Sequence, residues 1–92
     1  MPPISIEEAQ IRLCNLPGWK IEASELAKVF QFSDFRASLQ FVNVLAHLAE
    51  ESSHHPDIVI RYNKVRLALT THDAGGVTEK DFDLAAQIER IR

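Results

Sequence analysis

His54-His55-Pro56-Asp57-Ile58-Val59-Ile60-Arg61-Tyr62-Asn63-Lys64-Val65-Arg66-Leu67-Ala68-Leu69-Thr70-Thr71-His72-Asp73-Ala74-Gly75-Gly76 is the stretch whose reading decides the fold. Ile58, Ile60 and Tyr62 alternate with Val59 and Arg61, and Val65, Leu67 and Leu69 alternate with Lys64, Arg66 and Ala68. A period of two is that of a strand with its two faces in different surroundings. Tyr62-Asn63-Lys64 can turn the chain between the two runs, so the stretch predicts a β-hairpin. His54 stands nine residues before Asn63 and His72 nine after it. Hairpin pairing therefore places His54-His55 and His72 together at the open end of the sheet. The glycines of Thr71–Gly76 permit positive φ and mark a loop.

Outward from this hairpin, the chain reads as alternating helices and strand pairs. Pro56 biases His55 away from helical angles, so Ser52–Pro56 ends a long helix that starts with Ser33 as N-cap and runs to about Glu51. Phe35, Leu39, Val42, Ala46 and Ala49 form one apolar stripe on it; Phe41, Val44, Leu45 and Leu48 form a second. One stripe suffices to pack a helix on a sheet, so two predict either a buried helix or one that also meets another subunit. Before it, Leu26–Phe32 reads as a strand paired with Trp19-Lys20-Ile21 through a turn at Glu22–Glu25. At the start, Ser5 caps a first helix, with Glu8 completing a capping box, and Pro17-Gly18 stops it. After the hairpin, Thr78 caps a last helix with Asp81 three residues on and Leu84, Ala85, Ile88 and Ile91 on its apolar face. The order α-β-β-α-β-β-α predicts an α+β, two-layer fold, with a four-stranded antiparallel sheet carrying three helices on one face.

At 92 residues this is one domain, 1–92. A composition of 46% hydrophobic and 25% charged is that of a folded chain. Thirteen acidic against ten basic residues, a net charge of −3, argue against a general nucleic-acid binder. No apolar run approaches the ~18 residues of a membrane span, and Met1–Gln10 lacks the blocks of a secretory signal. A cytoplasmic protein is expected. One cysteine, Cys14, excludes an internal disulfide and a multi-cysteine zinc site. It reads as a small buried apolar residue and Trp19 as a core anchor. Arg61, Lys64 and Arg66 read as the solvated face of a strand.

The chemistry rests on histidines, which exchange protons near neutral pH. His47, inside the long helix between Ala46 and Leu48, reads as structural. His54, His55 and His72 lie at element ends, where side chains can converge. Three readings are open for them: a solvated helix exit, a zinc site completed by Glu50 or Asp73, and a metal-free acid–base pocket. Glu50 lies one helical turn before His54 and can neighbour it if the helix continues that far. Asp81 has a simpler use, closing the capping box of Thr78.

Glu50-x-x-x-His54-His55-Pro56-Asp57, Tyr62-Asn63-Lys64-Val65, Thr71-His72-Asp73-Ala74-Gly75-Gly76-Val77-Thr78 and Asp81-Phe82-Asp83-Leu84-Ala85, in this order and spacing, resemble the pterin-4a-carbinolamine dehydratases. The likeness covers nearly the whole chain. It implies the same α+β fold and a homodimer or homotetramer. It also implies dehydration of 4a-hydroxytetrahydropterin, the product left by aromatic amino acid hydroxylases, without metal or other cofactor. His54, His55 and His72 are then the catalytic histidines, with His54 and His72 moving protons and His55 orienting the ring. Glu50 and Asp81 support them and, with Ser53, Thr70, Thr71 and Asp73, make up the pterin-binding residues. Ser53 departs from the family, many of whose members carry an acid there. The resemblance also implies alternatives: another pterin as substrate, as in molybdopterin metabolism, or a role as dimerisation cofactor of a transcription factor. The stripe Phe41, Val44, Leu45 and Leu48 is where a protein contact is expected, and a homo-oligomer interface explains it better.

Overall fold

The computed structural model describes residues 2–92. Its elements are α1 (Ile6–Leu13), β1 (Lys20–Glu22), β2 (Glu25–Gln31), α2 (Phe35–Ser52), β3 (Asp57–Arg61), β4 (Lys64–Leu69), a 3-10 turn (His72–Ala74) and α3 (Glu79–Ile91). The four strands make one antiparallel sheet in the order β1-β2-β4-β3. This is the expected α-β-β-α-β-β-α architecture, with β1 and β3 as the free edges.

Both hairpins close through two residues. Ala23 and Ser24 have φ of 49° and 64°, the left-handed conformation that tight hairpins require. In the second hairpin Arg61 pairs with Lys64, so Lys64 belongs to the strand and the turn is Tyr62-Asn63, shorter than expected. Asn63 pins this turn to the end of β2. Its Nδ2 donates to the Phe32 carbonyl at 3.1 Å, and its own carbonyl receives the Phe32 N–H at 2.7 Å.

The core lies between the sheet and the helices. Leu26 and Phe30 of β2 and Val65, Leu67 and Leu69 of β4 pack against Leu45 of α2 and Leu84, Ala85 and Ile88 of α3. Each large side chain so buried contributes roughly 1.5–3 kcal/mol relative to exposure. Trp19 is the anchor expected: it is buried, edge-on to Phe30 at 5.9 Å, and its Nε1 donates to Glu89 Oε1 at 2.8 Å. Between Leu26 and Phe30 the same sheet face carries Lys28. Its ammonium is satisfied by Glu89, by the Pro17 carbonyl at 2.8 Å and by the Phe30 ring at 4.6 Å.

Several local expectations are corrected. The N-cap of α2 is Asp34, not Ser33, because the Asp34 carboxylate reaches the Ala37 N–H at 2.8 Å. Buried residues of α2 are Ser38, Phe41, Leu45 and Ala49, so Phe41 and Leu45 of the stripe expected at an interface go to the core, Leu48 packs against it, and Val44 stays exposed. The other stripe is divided too: Ala49 is buried and Val42 half-buried, while Phe35 and Leu39 are left 47% and 38% exposed. Cys14 is exposed, since α1 ends at Leu13 and turns it outward. His47 lies on the exposed face of α2 and belongs to no core. Among the described residues, no helix is long and apolar enough to cross a membrane.

Candidate active site

The end of α2 sets the position of the two adjacent histidines. Ser53 adopts the left-handed conformation (φ 53°), and its N–H donates to the Glu50 carbonyl while that of His54 donates to the Ala49 carbonyl. This is the Schellman pattern that terminates a helix and turns the chain sharply. Glu50 therefore does not meet His54: its Oε2 lies 2.5 Å from His55 Nε2. That pair is open to water, its side chains 76% and 62% exposed.

His54 turns the other way, toward α3. Its Nε2 lies 2.5 Å from Asp81 Oδ1. Asp81 is fully buried and the His54 side chain only 14% exposed. The second oxygen, Oδ2, accepts the Thr78 N–H at 2.8 Å and the Thr71 hydroxyl at 2.9 Å. Three donors thus meet a carboxylate closed off from the surface, which is what allows it to be buried. With its proton given to Asp81, the Thr71 hydroxyl can only accept from Thr78 Oγ1, 2.8 Å away. The capping box read from Thr78 and Asp81 is present, and the same carboxylate also fixes the ring of His54. A carboxylate accepts, so Nε2 carries the proton toward it and Nδ1 is the nitrogen free of Asp81.

His72 arrives from the far side of the hairpin. Arg61 opposite Lys64 puts the residues beyond Asp57 and Leu69 side by side, and the chain after β4 folds into the turn His72–Ala74. Thr71 bridges to Gly76, and Gly75 takes φ 77° to close the loop. Thr70 Oγ1 ties the loop to the β1–β2 turn through the Ser24 carbonyl at 3.1 Å.

These residues line one cavity of about 320 Å³: Ser53, His54 and His55 on one wall, Thr70, Thr71, His72 and Asp73 on the other, and Lys80 at the side. Seven of the nine residues singled out from the sequence face it. Glu50 and Asp81 stand behind, each against a histidine. Lys80 was missed, and no signal in the sequence marks it as a residue of the cavity. No three His, Cys, Asp or Glu side chains among the described residues converge as a metal site. The cavity can hold a small polar ring between imidazoles that exchange protons with it, and ~300 Å³ is the low end of ligand-site volumes.

Comparison with known proteins agrees. Residues 2–91 match the family model of the pterin 4 alpha carbinolamine dehydratases. A protein of Acidobacterium capsulatum that carries the name pterin-4-alpha-carbinolamine dehydratase provisionally is 59% identical over 99% of this chain and 96% of its own. One of Chloroflexus aurantiacus, named likewise, is 54% identical over 99% and 98%. The crystal structure of a transcriptional coactivator/pterin dehydratase from Brucella melitensis superposes with a TM-score of 0.92, at 32% identity over 97% of both chains. A pterin dehydratase-like RuBisCO assembly factor of the alpha-carboxysome superposes at 0.65, with 26% identity over 79% of this chain and 84% of its own. On this match, spanning fold, sequence and nearly full length, the chain belongs to the pterin 4 alpha carbinolamine dehydratase family.

Proposed function

We propose that this protein dehydrates a 4a-hydroxytetrahydropterin to the quinonoid dihydropterin and water, recycling the pterin spent by aromatic amino acid hydroxylation. The observation that carries the reading is His54, fixed by a buried carboxylate, opening on the same cavity as His55 and His72. In this reading, the C4a–oxygen bond breaks as one imidazolium gives its proton to the departing hydroxide. The lone pair of the neighbouring ring nitrogen forms the new C=N bond, and the proton of that nitrogen passes to a second imidazole. One histidine has then lost a proton and the other gained one, and exchange with water restores both. His54 and His72 are the proton-transfer pair; His55, held by Glu50, orients the ring. Ser53, Thr70, Thr71 and Asp73 supply hydrogen-bonding groups around it, and Asp81 acts through His54. The free β3 edge and the exposed Phe35 and Leu39 support self-association as a homodimer or homotetramer.

General acid–base help of this kind is worth ~10²–10⁴ in rate, about 3–5 kcal/mol of barrier. The test is stopped-flow decay of a synthetic 4a-hydroxytetrahydropterin with wild type, His54→Ala and His72→Ala. Acceleration of that order, lost in either variant, is expected. Wild-type decay no faster than the spontaneous reaction at micromolar enzyme would overturn the reading.

A further inference from the structure

The loop that carries His72 closes without the side chain of Thr71. The Thr71 N–H donates to the Gly76 carbonyl at 3.0 Å, and the Thr71 carbonyl accepts from the N–H groups of Ala74 at 3.0 Å and Gly75 at 3.1 Å. The hydroxyl, held in place by its own backbone, is left for Asp81. It stands in a chain of hydrogen bonds whose direction is fixed at both ends. The Lys80 N–H can only donate, and it reaches Thr78 Oγ1 at 3.3 Å. The Asp81 carboxylate can only accept. Between them Thr78 donates to Thr71 at 2.8 Å, and Thr71 to Asp81 Oδ2 at 2.9 Å. Hydrogen bonds aligned head to tail polarise one another, so this chain presents Asp81 with a stronger donor than a lone hydroxyl. It ends across the carboxylate from His54, whose Nε2 donates to Oδ1. The terminal torsion of an aspartate is soft. With only His54 on Oδ1 and the Thr78 N–H on Oδ2, the carboxylate could roll about the line joining them. The Thr71 hydroxyl supplies a third point and removes that freedom.

We infer that Thr71 is a positioning residue, which acts through Asp81 to hold His54 in one tautomer and one orientation, Nε2 toward the acid and Nδ1 left for the pterin. This inference rests on the dehydratase reading and deepens it. The role differs from that of a wall residue that only touches the ring, although Thr71 also lines the cavity. Its proton belongs to Asp81, and the pterin can reach only a lone pair of the hydroxyl.

The test compares wild type, Thr71→Val and Thr71→Ser by stopped-flow dehydration and by the ring nitrogen-15 NMR signals of His54. Thr71→Val keeps the shape and removes the hydroxyl. It is expected to lower kcat roughly 10–100-fold with KM nearly kept, and Thr71→Ser to recover most of that loss. A raised KM with kcat retained would make Thr71 a pterin contact alone, and a loss that Thr71→Ser does not recover would make the methyl group, not the hydroxyl, the cause; either overturns the inference and leaves the dehydratase activity standing. The NMR signals, assigned by their absence from His54→Ala, are recorded above the pH at which His54 titrates. Wild type and Thr71→Ser are expected to show the Nε2–H tautomer alone, and Thr71→Val a mixture of the two. A mixture in wild type, or an unchanged spectrum in Thr71→Val, overturns the inference. If wild type accelerates no dehydration, the dehydratase reading falls, and the NMR comparison decides the Thr71–Asp81–His54 coupling by itself. Should Thr71→Val not fold, Thr71→Cys, which carries only a weak donor, takes its place in both measurements with the same outcomes.

Discussion

His54 and His55 are adjacent in the chain and each touches one carboxylate at 2.5 Å, yet their surroundings are opposite. Around His54 the carboxylate is sealed from water and fixed by two further donors; around His55 both partners are mostly exposed. The difference teaches that contact distance does not measure an interaction. In water the His55–Glu50 attraction is screened and offset by the entropy of holding two free side chains, which leaves about 0–1 kcal/mol. In the interior the Asp81 carboxylate is worth little as attraction and much as an obligation, because removing any donor leaves a desolvated charge. The buried pair therefore fixes a ring, while the exposed pair only biases one.

Four substitutions sharpen or break this contrast. Asp81→Ala is expected to have the largest effect, about 3–5 kcal/mol of stability, read by urea denaturation, because His54, Thr71 and the Thr78 N–H all lose their acceptor together. The gentler Asp81→Asn keeps an acceptor for the cap, and is expected to fold while losing roughly 10²–10⁴ in the dehydration rate. Next, His55→Ala is expected to raise KM about tenfold with kcat nearly retained, the mark of a group that binds ground and transition states alike. A fall in kcat equal to that of His54→Ala would make the two histidines equivalent and end the contrast. The smallest effect is expected from Glu50→Gln, within about 0.5 kcal/mol of wild-type stability; a loss approaching that of Asp81→Ala would show that burial is not what separates the pairs.

How much of this was legible in the sequence depended on which distances the chain itself fixes. Pairing of Arg61 with Lys64 is local, so the alternation on either side of Tyr62-Asn63 was enough to gather His54, His55 and His72 at one end of the sheet. The capping box at Thr78 and Asp81 was legible for the same reason. The rotational phase of α2 was not. Apolar residues surround most of that helix, and only the packed sheet decides that Phe41 and Leu45 turn inward while Phe35 and Leu39 remain outside. Nor was the exchange of carboxylate partners legible. It follows from one residue, Ser53, entering the left-handed region at a cost of about 1–2 kcal/mol, which sends Glu50 to His55 and frees His54 for an acid twenty-seven positions away. Lys80 escaped notice because nothing in its immediate sequence shows that the first turn of α3 borders the cavity.

Asp81 both caps α3 and fixes His54, and this shared duty bears on how such a chain can evolve. A substitution there cannot silence the chemistry quietly, because it also loosens a helix that the core depends on. His72 and His55 carry no such double role and can drift away with little harm to the fold. Descendants of this scaffold that give up catalysis for assembly or partner binding are therefore expected to lose exposed histidines first and the buried acid last. Such an acid left behind without its histidines would be the fossil of an abandoned active site.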